Sequence, residues 1–426
     1  MTDIKDKIVS PELASKIINV ETNVDYIVKG IAYVIDTFEK RFAGSKGERD
    51  AQKYFVDELS NICDSVIEEE FTVHPNSFLD WLYVTPSLFI ASLLFYFFMP
   101  LVSVLLVIAG LFPFVSQLIL YKTWLDPFYK KGISSNVFGV MKPSGELKRR
   151  VILCGHTDAA REWTWHRKYG VKGVVATTAG SLTGAFYVLV LSALSMANGR
   201  VFFGMIDTVG AALMLGIAGA VFMPFWLMCY FFSNKRVVVD GANDNLSANF
   251  VAVAVMKVLK ESGIKLKHTE LCSLMTGSEE IGLRGAKAFA KVHKAEHSDV
   301  ETIVIVMETL RDLEHFSLYV RDINGFVQTN KDVAALVKAA GKANGVNIKY
   351  AAVPLGATDS GAFAQAGYQS TCLAAVSHNL QDYYHTRRDT KDNIDPIVLG
   401  KALNIVIDSV LLYDENGLIP AQAGIQ

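Results

Sequence analysis

The hydrophobic pattern divides the chain into two kinds of segment. Short apolar runs alternate with helix-like polar stretches along most of its length, and two long blocks carry almost no charge. Residues 12–70 read as helices. Within them, 50–62 has helical apolar spacing and the Ala43-Gly44-Ser45 stretch makes a loop before it. Strands are predicted over 68–73, 136–141 and 150–154, and a short one over 237–239. A helix over 246–260, a strand over 271–275, a helix over 285–293 and a strand over 302–307 follow. A helix over 332–344, a strand over 371–376 and a closing helix over 396–412 complete the order. This alternation predicts an α/β fold with a mostly parallel central sheet and helices on both faces. There is no internal repeat and no low-complexity tract.

The uncharged blocks interrupt that alternation. The first, 81–121, is about 60 Å of helix, or two crossings of a hydrocarbon core about 30 Å thick. Met99-Pro100 is its natural turn, and Trp81, Tyr83 and Tyr121 lie near the ends, where aromatic belts form. The second block is also a pair: 173–198 and 208–232 are uncharged, and Arg200 and Asp207 mark the connection. The pattern predicts four transmembrane helices as two hairpins, 81–121 and 173–232, inserted into one domain made of 1–80, 122–172 and 233–426. The lipid bilayer is then a partner of the chain.

Two hairpins return the chain to the side it left, so the polar parts share one compartment. Lys122, Lys130, Lys131, Arg167, Lys168, Lys172, Lys235 and Arg236 flank the spans on that side, and Arg200 lies in a far-side turn. The excess of positive charge predicts a multi-pass protein of the cell membrane with its polar body in the cytoplasm. Residues 1–30 are polar and mixed in charge, unlike a secretory leader. The spans carry no charged residue, which removes the usual sign of an ion or proton path and argues against a transporter.

Composition narrows the partners. A hydrophobic fraction of 51% and a mean hydropathy of +0.28 reflect the two blocks. The net charge of -2 gives no footing for nucleic acid. Five scattered cysteines (Cys63, Cys154, Cys229, Cys272, Cys372) have no zinc-knuckle spacing and read as free thiols in a reducing compartment.

Metal-type side chains stand at five places, just past apolar strands or in polar loops: Cys154 to Asp158, Asp240 to Ala248, Thr276 to Gly282, Val306 to Leu310 and Tyr383 to Thr390. In an open α/β sheet, ligands bind beyond the carboxyl ends of the strands. Histidine and carboxylates delivered there suit a metal such as zinc. Glu279 and Glu280 stand together between an apolar strand and Ile281, where two carboxylates are costly unless paired or metal-bound. Asn243-Asp244-Asn245 also reads as a turn and helix cap before Leu246.

In this order, the five stretches resemble the co-catalytic di-zinc aminopeptidase family. That family includes bacterial leucine aminopeptidase, glutamate carboxypeptidase, glutaminyl cyclase and the transferrin receptor ectodomain. The resemblance covers the whole polar part of the chain, including Arg41-Phe42-Ala43-Gly44-Ser45, which looks like the family's R-x-x-G-S leader. It implies the zinc-exopeptidase fold, two zinc ions, a peptide substrate and a set of roles. His156 binds one zinc, with Asp158 fixing its tautomer. Asp244 bridges both metals, Glu280 and His385 complete the other, and Glu308 stands where the family has an aspartate ligand. Glu279 is the general base toward a metal-bridging water. Asp359 is a second-shell or substrate-pocket residue, and Asp389 orders the loop that presents His385. Tyr384 or Tyr383 donates to the developing oxyanion or packs beside the site.

Some positions depart from the family pattern. Glu308 is one methylene longer than the aspartate, Ala248 stands where a glycine is common, and Ser360 where a histidine often follows the aspartate. The second hairpin falls between His156 and Asp244, which puts the site near the membrane surface. The resemblance implies a membrane-anchored zinc metallo-exopeptidase, most directly an aminopeptidase. The alternatives are a glutaminyl-cyclase-like acyltransferase and an inactive receptor or binding protein on the same fold. Substrate preference is not legible. Oligomeric state is open too, with 210–219 the small-residue face that stands out on the spans.

Overall fold

The computed structural model describes residues 20–202, 210–377 and 379–418. The expected helical residues 12–19, and Asp207 and Thr208 of the second block, lie outside the described residues. The chain divides into two compact units. One takes in Met1–Pro75, Lys131–Ala160 and Val238–Gln426, and the other Asn76–Lys130 and Arg161–Val237.

In the first unit the elements run α1 (Val20–Thr37), α2 (Lys46–Ser60), β1 (Ser65–Val73), β2 (Gly132–Met141), β3 (Arg149–His156), α3 (Ser247–Glu261), β4 (Thr269–Thr276) and α4 (Arg284–His293). They continue with β5 (Glu301–Leu310), β6 (Phe316–Asp322), β7 (Val327–Gln328), α5 (Lys331–Ala343), β8 (Lys349–Ala352), α6 (Asp359–Gln365), β9 (Gln369–Ala375) and α7 (Pro396–Asn416). The strands form one 9-stranded sheet in the order β1-β2-β4-β3-β5-β9-β6-β8, with β7 beside β6. Its centre is parallel: β4, β3, β5 and β9 run side by side in one direction. The antiparallel pairings lie toward the edges, β1 with β2, β2 with β4, and β6 with β9 and β7. A mixed α/β fold built on a mostly parallel centre is what the alternation predicts.

The two faces follow from the period of two along each strand. Val151 and Leu153 of β3, Leu271 and Met275 of β4, and Ile303, Ile305 and Met307 of β5 enter one core with α3 and α7. The intervening residues Ile152, Cys154, Leu274, Val304 and Val306 are equally buried and point the other way. On that side Phe138 meets Phe289 of α4 at 5.1 Å between ring centroids, and Phe289 meets Phe363 of α6 at 6.4 Å. Strands buried on both faces read as continuous apolar runs, which is why β3, β4 and β5 are so plain in the sequence.

Several elements went unread. Strand β6 buries Phe316, Leu318 and Val320 in the main core, and that alternation is the signal that marks it. Strands β7 and β8 and helix α6 are too short to impose a period. The strand expected over 237–239 is Ser233–Val238, and it pairs with Arg161–Trp163 in a separate two-stranded ribbon. Local pattern marks a strand but does not choose its partner.

The second unit is helical. Thr85–Tyr96 and Pro100–Pro113 form a hairpin that breaks just before Pro100, a residue suited to a first helical turn. Gly110 lets the two helices close, because a Cβ there would fall 2.6 Å from the Phe89 ring. In the second pair, Val171–Ala197 packs on the helical stretch within 211–229 through Gly180 and Gly184, which face Phe225, Phe222 and Trp226. Gly216 and Gly219, from the small-residue face at 210–219, pack against Phe97, Tyr96, Leu93 and Tyr187 of the same unit.

Among the described residues, four helices are long and apolar enough to cross a membrane: Pro100–Ile119, Val171–Ala197, Ala211–Cys229 and Pro396–Asn416. This set differs from the expected four. The first expected crossing is the shorter apolar stretch Asp80–Tyr96. Pro396–Asn416 is the closing helix α7, whose apolar side chains are spent on the core of the first unit.

Candidate functional site

The sheet delivers its polar side chains at the carboxyl ends of the central parallel strands, where such sheets bind ligands. His156 is the last residue of β3, Glu279 and Glu280 follow β4, and Glu308 lies near the end of β5. Asp244 sits in the turn before α3, and His385 follows β9. A register change lies beside one of these groups. Between β9 and β5, Ala374 pairs with Glu308 but Ala375 pairs with Leu310. The skipped Thr309 has φ +42°, so the strand bulges beside Glu308. Ser278 (φ +56°) and His385 (φ +50°) also hold left-handed backbone, of the kind that collects at functional sites.

His156, Asp244 and Glu280 each offer a ligand atom within 4.8 Å of the others. Asp244 divides its carboxylate: Oδ1 is 3.2 Å from His156 Nε2 and Oδ2 is 3.1 Å from His385 Nε2. Glu280 Oε2 is 3.2 Å from the same His385 nitrogen. Around His156 Nε2 stand Glu308 Oε1 at 3.7 Å and Glu279 Oε2 at 3.9 Å. A tetrahedral zinc with bonds of about 2.0–2.1 Å separates its ligand atoms by about 3.3–3.4 Å. The donors are imidazole and carboxylate, the spacings bracket that value, and the buried Glu280 Oε1 atom has no hydrogen-bond partner among the described residues. The residues fit a metal such as zinc.

A surrounding layer fixes these groups. Asp158 lies with Oδ1 3.3 Å from His156 Nδ1, and it accepts the amides of Glu279 at 2.9 Å and Glu280 at 3.0 Å. One carboxylate thus sets the imidazole and the glutamate pair together. Ser45 caps α2, but Glu48 of that first turn reaches across to the Ser278 amide at 2.7 Å. Asp389 bonds on two sides. Its carboxylate accepts the Asn243 amide at 2.9 Å and the Asp244 amide at 3.1 Å, and its own amide donates to the Thr386 carbonyl at 3.0 Å, so it ties the His385 loop to the Asp244 turn. Asn245 donates to Glu308 Oε2 at 3.1 Å. Asp359 accepts from Thr276 Oγ1 at 2.5 Å, and its Oδ1 has no partner among the described residues. Of the two tyrosines, Tyr384 stacks on His385 at 4.1 Å, while Tyr383 donates to Asp312 at 3.0 Å and faces away from the chemistry.

Burial crowds negative charge here. It lifts Glu279 well above the ordinary carboxylate range; His156 pulls back, and Asp359, Glu280 and Glu308 add to the rise. Burial and the Asp244 charge push Glu308 up to about 8. Burial opposes charge on His385, but Glu280 and Asp244 outweigh it and hold the ring at about 10. His156 is raised well above its usual value in the same way, its burial outweighed by Glu308, Asp158 and Asp244. Asp244 is pulled well below its usual value because the two imidazoles overcome its burial.

The metal-free site therefore holds protons at neutral pH that zinc has to displace. Both raised imidazoles must lose a proton to bind, so affinity rises with pH, by about tenfold per unit for each proton released. Zinc titrations at pH 6, 7 and 8 are expected to show that rise, with protons released into weak buffer. A flat profile would contradict this charge assignment.

Comparison with known proteins bears on the same residues. The family model of peptidase family M28 matches residues 201–410 of the chain. That match takes in Asp244, Glu279, Glu280, Glu308, Asp359, His385 and Asp389, and leaves His156 and Asp158 outside it. A zinc aminopeptidase from Bacillus subtilis is similar at 14% identity and a TM-score of 0.55, over 93% of this chain and 96% of its own. A glutaminyl cyclase from Fimbriiglobus ruber follows at 13% and 0.53, over 91% and 95%. A leucine aminopeptidase precursor from Bacteroides thetaiotaomicron follows at 12% and 0.51, over 91% and 96%. At these identities the likeness is one of fold. No curated protein matches the chain. The M28 match and the fold bear out the zinc-exopeptidase resemblance read from the sequence, and support a zinc peptidase-like hydrolase in general.

Proposed function

We propose that this chain is a membrane-anchored zinc aminopeptidase. One observation carries the reading: Asp244 turns one oxygen to His156 and the other to His385, with Glu279 and Glu280 alongside. In this reading His156, Asp244 and Glu308 hold one zinc, and Asp244, Glu280 and His385 hold the other. Zinc so held supplies a Lewis acid that polarises the scissile carbonyl and lowers the pKa of bound water. Glu279, its proton affinity raised by burial, takes the proton from the attacking water on its carboxylate and returns it to the leaving amine. Asp158 keeps that carboxylate in place through the Glu279 amide. Asp359, raised by burial to about 6 and still ionised at neutral pH, leaves one oxygen for the substrate's amino terminus. Tyr384 is the donor toward the developing oxyanion. The names of the aminopeptidases of similar fold support this choice.

The apolar helices of the second unit anchor the chain in this reading. The excess of lysine and arginine on their flanks favours a cytoplasmic site.

A mass-spectrometric product assay tests the proposal. Detergent-purified protein is given a peptide library with free and acetylated amino termini, with and without chelator. Stepwise loss of residues from free termini only, abolished by chelator, is expected. In sealed vesicles, inverted ones alone are expected to cleave added peptide. Zinc-loaded protein that closes amino-terminal glutamine to a ring but removes no residue would instead be a cyclase.

A further inference from the structure

One buried cation bonds to both metal-type segments, beside the half-exposed Lys40 that pairs with Asp240. Arg41 is 3% exposed. Its Nε donates to the Thr157 carbonyl at 2.8 Å and its Nη2 to the Gly241 carbonyl at 3.1 Å. Its own carbonyl accepts the Ala159 amide at 2.9 Å. Thr157 lies between His156 and Asp158, and Gly241 begins the turn that carries Asp244. Between these two segments the chain leaves the first unit after Ala160 and re-enters at Val238. The gap is closed by the Val239 amide, which donates to the Ala160 carbonyl at 3.0 Å.

We propose that Arg41 is the positioning residue that brings the His156 and Asp244 segments into metal-binding register across the helical insertion. This inference rests on the zinc reading of the site. The chemistry favours arginine: a planar fork offers two donors at fixed separation to two carbonyls, whereas lysine brings one mobile charge. The backbone is shaped to receive it. Gly241 has φ +61°, and a Cβ there would lie 2.5 Å from the Asp244 carbonyl and 2.8 Å from Arg41 Nη2. The surroundings keep the guanidinium charged. Burial lowers it to about 10, and Asp389, Asp158, Asp244 and Glu48 act against that loss. The cation also offsets part of the carboxylate charge that remains when metal leaves.

The test compares full-length wild type with Arg41→Lys, Arg41→Met and a control on the exposed face of α2, Lys53→Ala, all detergent-purified. Zinc affinity is read by competition with a chromophoric chelator, together with the unfolding midpoint and, for peptide hydrolysis, kcat and KM. Arg41→Lys is expected to fold and to bind zinc about 10–100-fold more weakly, the loss typical of partners that orient ligands. Its kcat at saturating zinc is expected to fall while KM holds, and Lys53→Ala to match wild type. If Arg41→Met does not fold, the lysine variant decides alone. Wild-type zinc affinity in a folded arginine variant, with only a lower midpoint, would make Arg41 a structural ion and overturn the inference. Wild type that binds no zinc would bring down the reading of the site first.

Discussion

Replacing Glu279 by glutamine is expected to leave zinc bound and to lower turnover by about 10²–10⁴-fold, the usual share of a general base. The substitution keeps size and shape. It also keeps the backbone amide that donates to Asp158 at 2.9 Å, so the turn after β4 holds its place. What it removes is the one group in the site whose position and proton affinity both suit transfer. Glu279 Oε2 lies 3.9 Å from His156 Nε2, farther than the Asp244 oxygen at 3.2 Å, which leaves it free of the tightest ligand contacts. Its burial raises its proton affinity, the direction that suits a base. Metal analysis and steady-state kinetics on the same preparation check both halves. Turnover within a few-fold of wild type, with zinc in place, would remove Glu279 as the base.

Asp244→Asn is expected to act on the metal itself. Both carboxylate oxygens face imidazole nitrogens, at 3.2 Å and 3.1 Å, so one substitution strikes both centres of the proposed site. Asparagine keeps the backbone amide that Asp389 accepts at 3.1 Å and so keeps the turn. It loses the charge, and one of its two terminal atoms becomes a donor, unable to bind a cation. Zinc affinity should fall by more than the roughly 10–100-fold seen when an outer partner is lost. A chelator competition titration measures it, with circular dichroism to verify the fold. Tight binding of two ions by the variant would end the assignment of Asp244 as a bridge.

The two substitutions separate functions that the site keeps in adjacent groups. One spares the metal and stops proton transfer; the other removes the metal and leaves the base. Inactivity of both with zinc retained by both would place the metal on other residues.

Much of this was legible in the chain. The runs at β3, β4 and β5 stand out because strands buried on both faces need apolar residues at every position. His156, Glu279 and Glu280 stand out because polar groups directly after such runs sit at the mouth of the core. Arg41 was visible as part of a leader motif, but its work on the Thr157 and Gly241 carbonyls was not, since it joins segments far apart in sequence. Sequence proximity places Asp389 in the His385 loop, but the reach of its carboxylate to Asn243 and Asp244 is not legible there, since those residues are far away in the chain. Tyr383 and Tyr384 are equivalent in sequence, and only the path of the loop turns one toward Asp312 and stacks the other on His385. The apolar character of α7 likewise could not say whether it meets lipid or protein.

By itself the sequence determined the alternation that makes an α/β sheet, the uncharged blocks, and the ordered set of histidines and carboxylates, because periodicity and residue chemistry are local properties. The tertiary structure alone decided which oxygen faces which imidazole, which strands pair, and how Arg41 and Asp389 hold the turns that carry the ligands. Those are distances between segments, and they exist only once the chain has closed on itself.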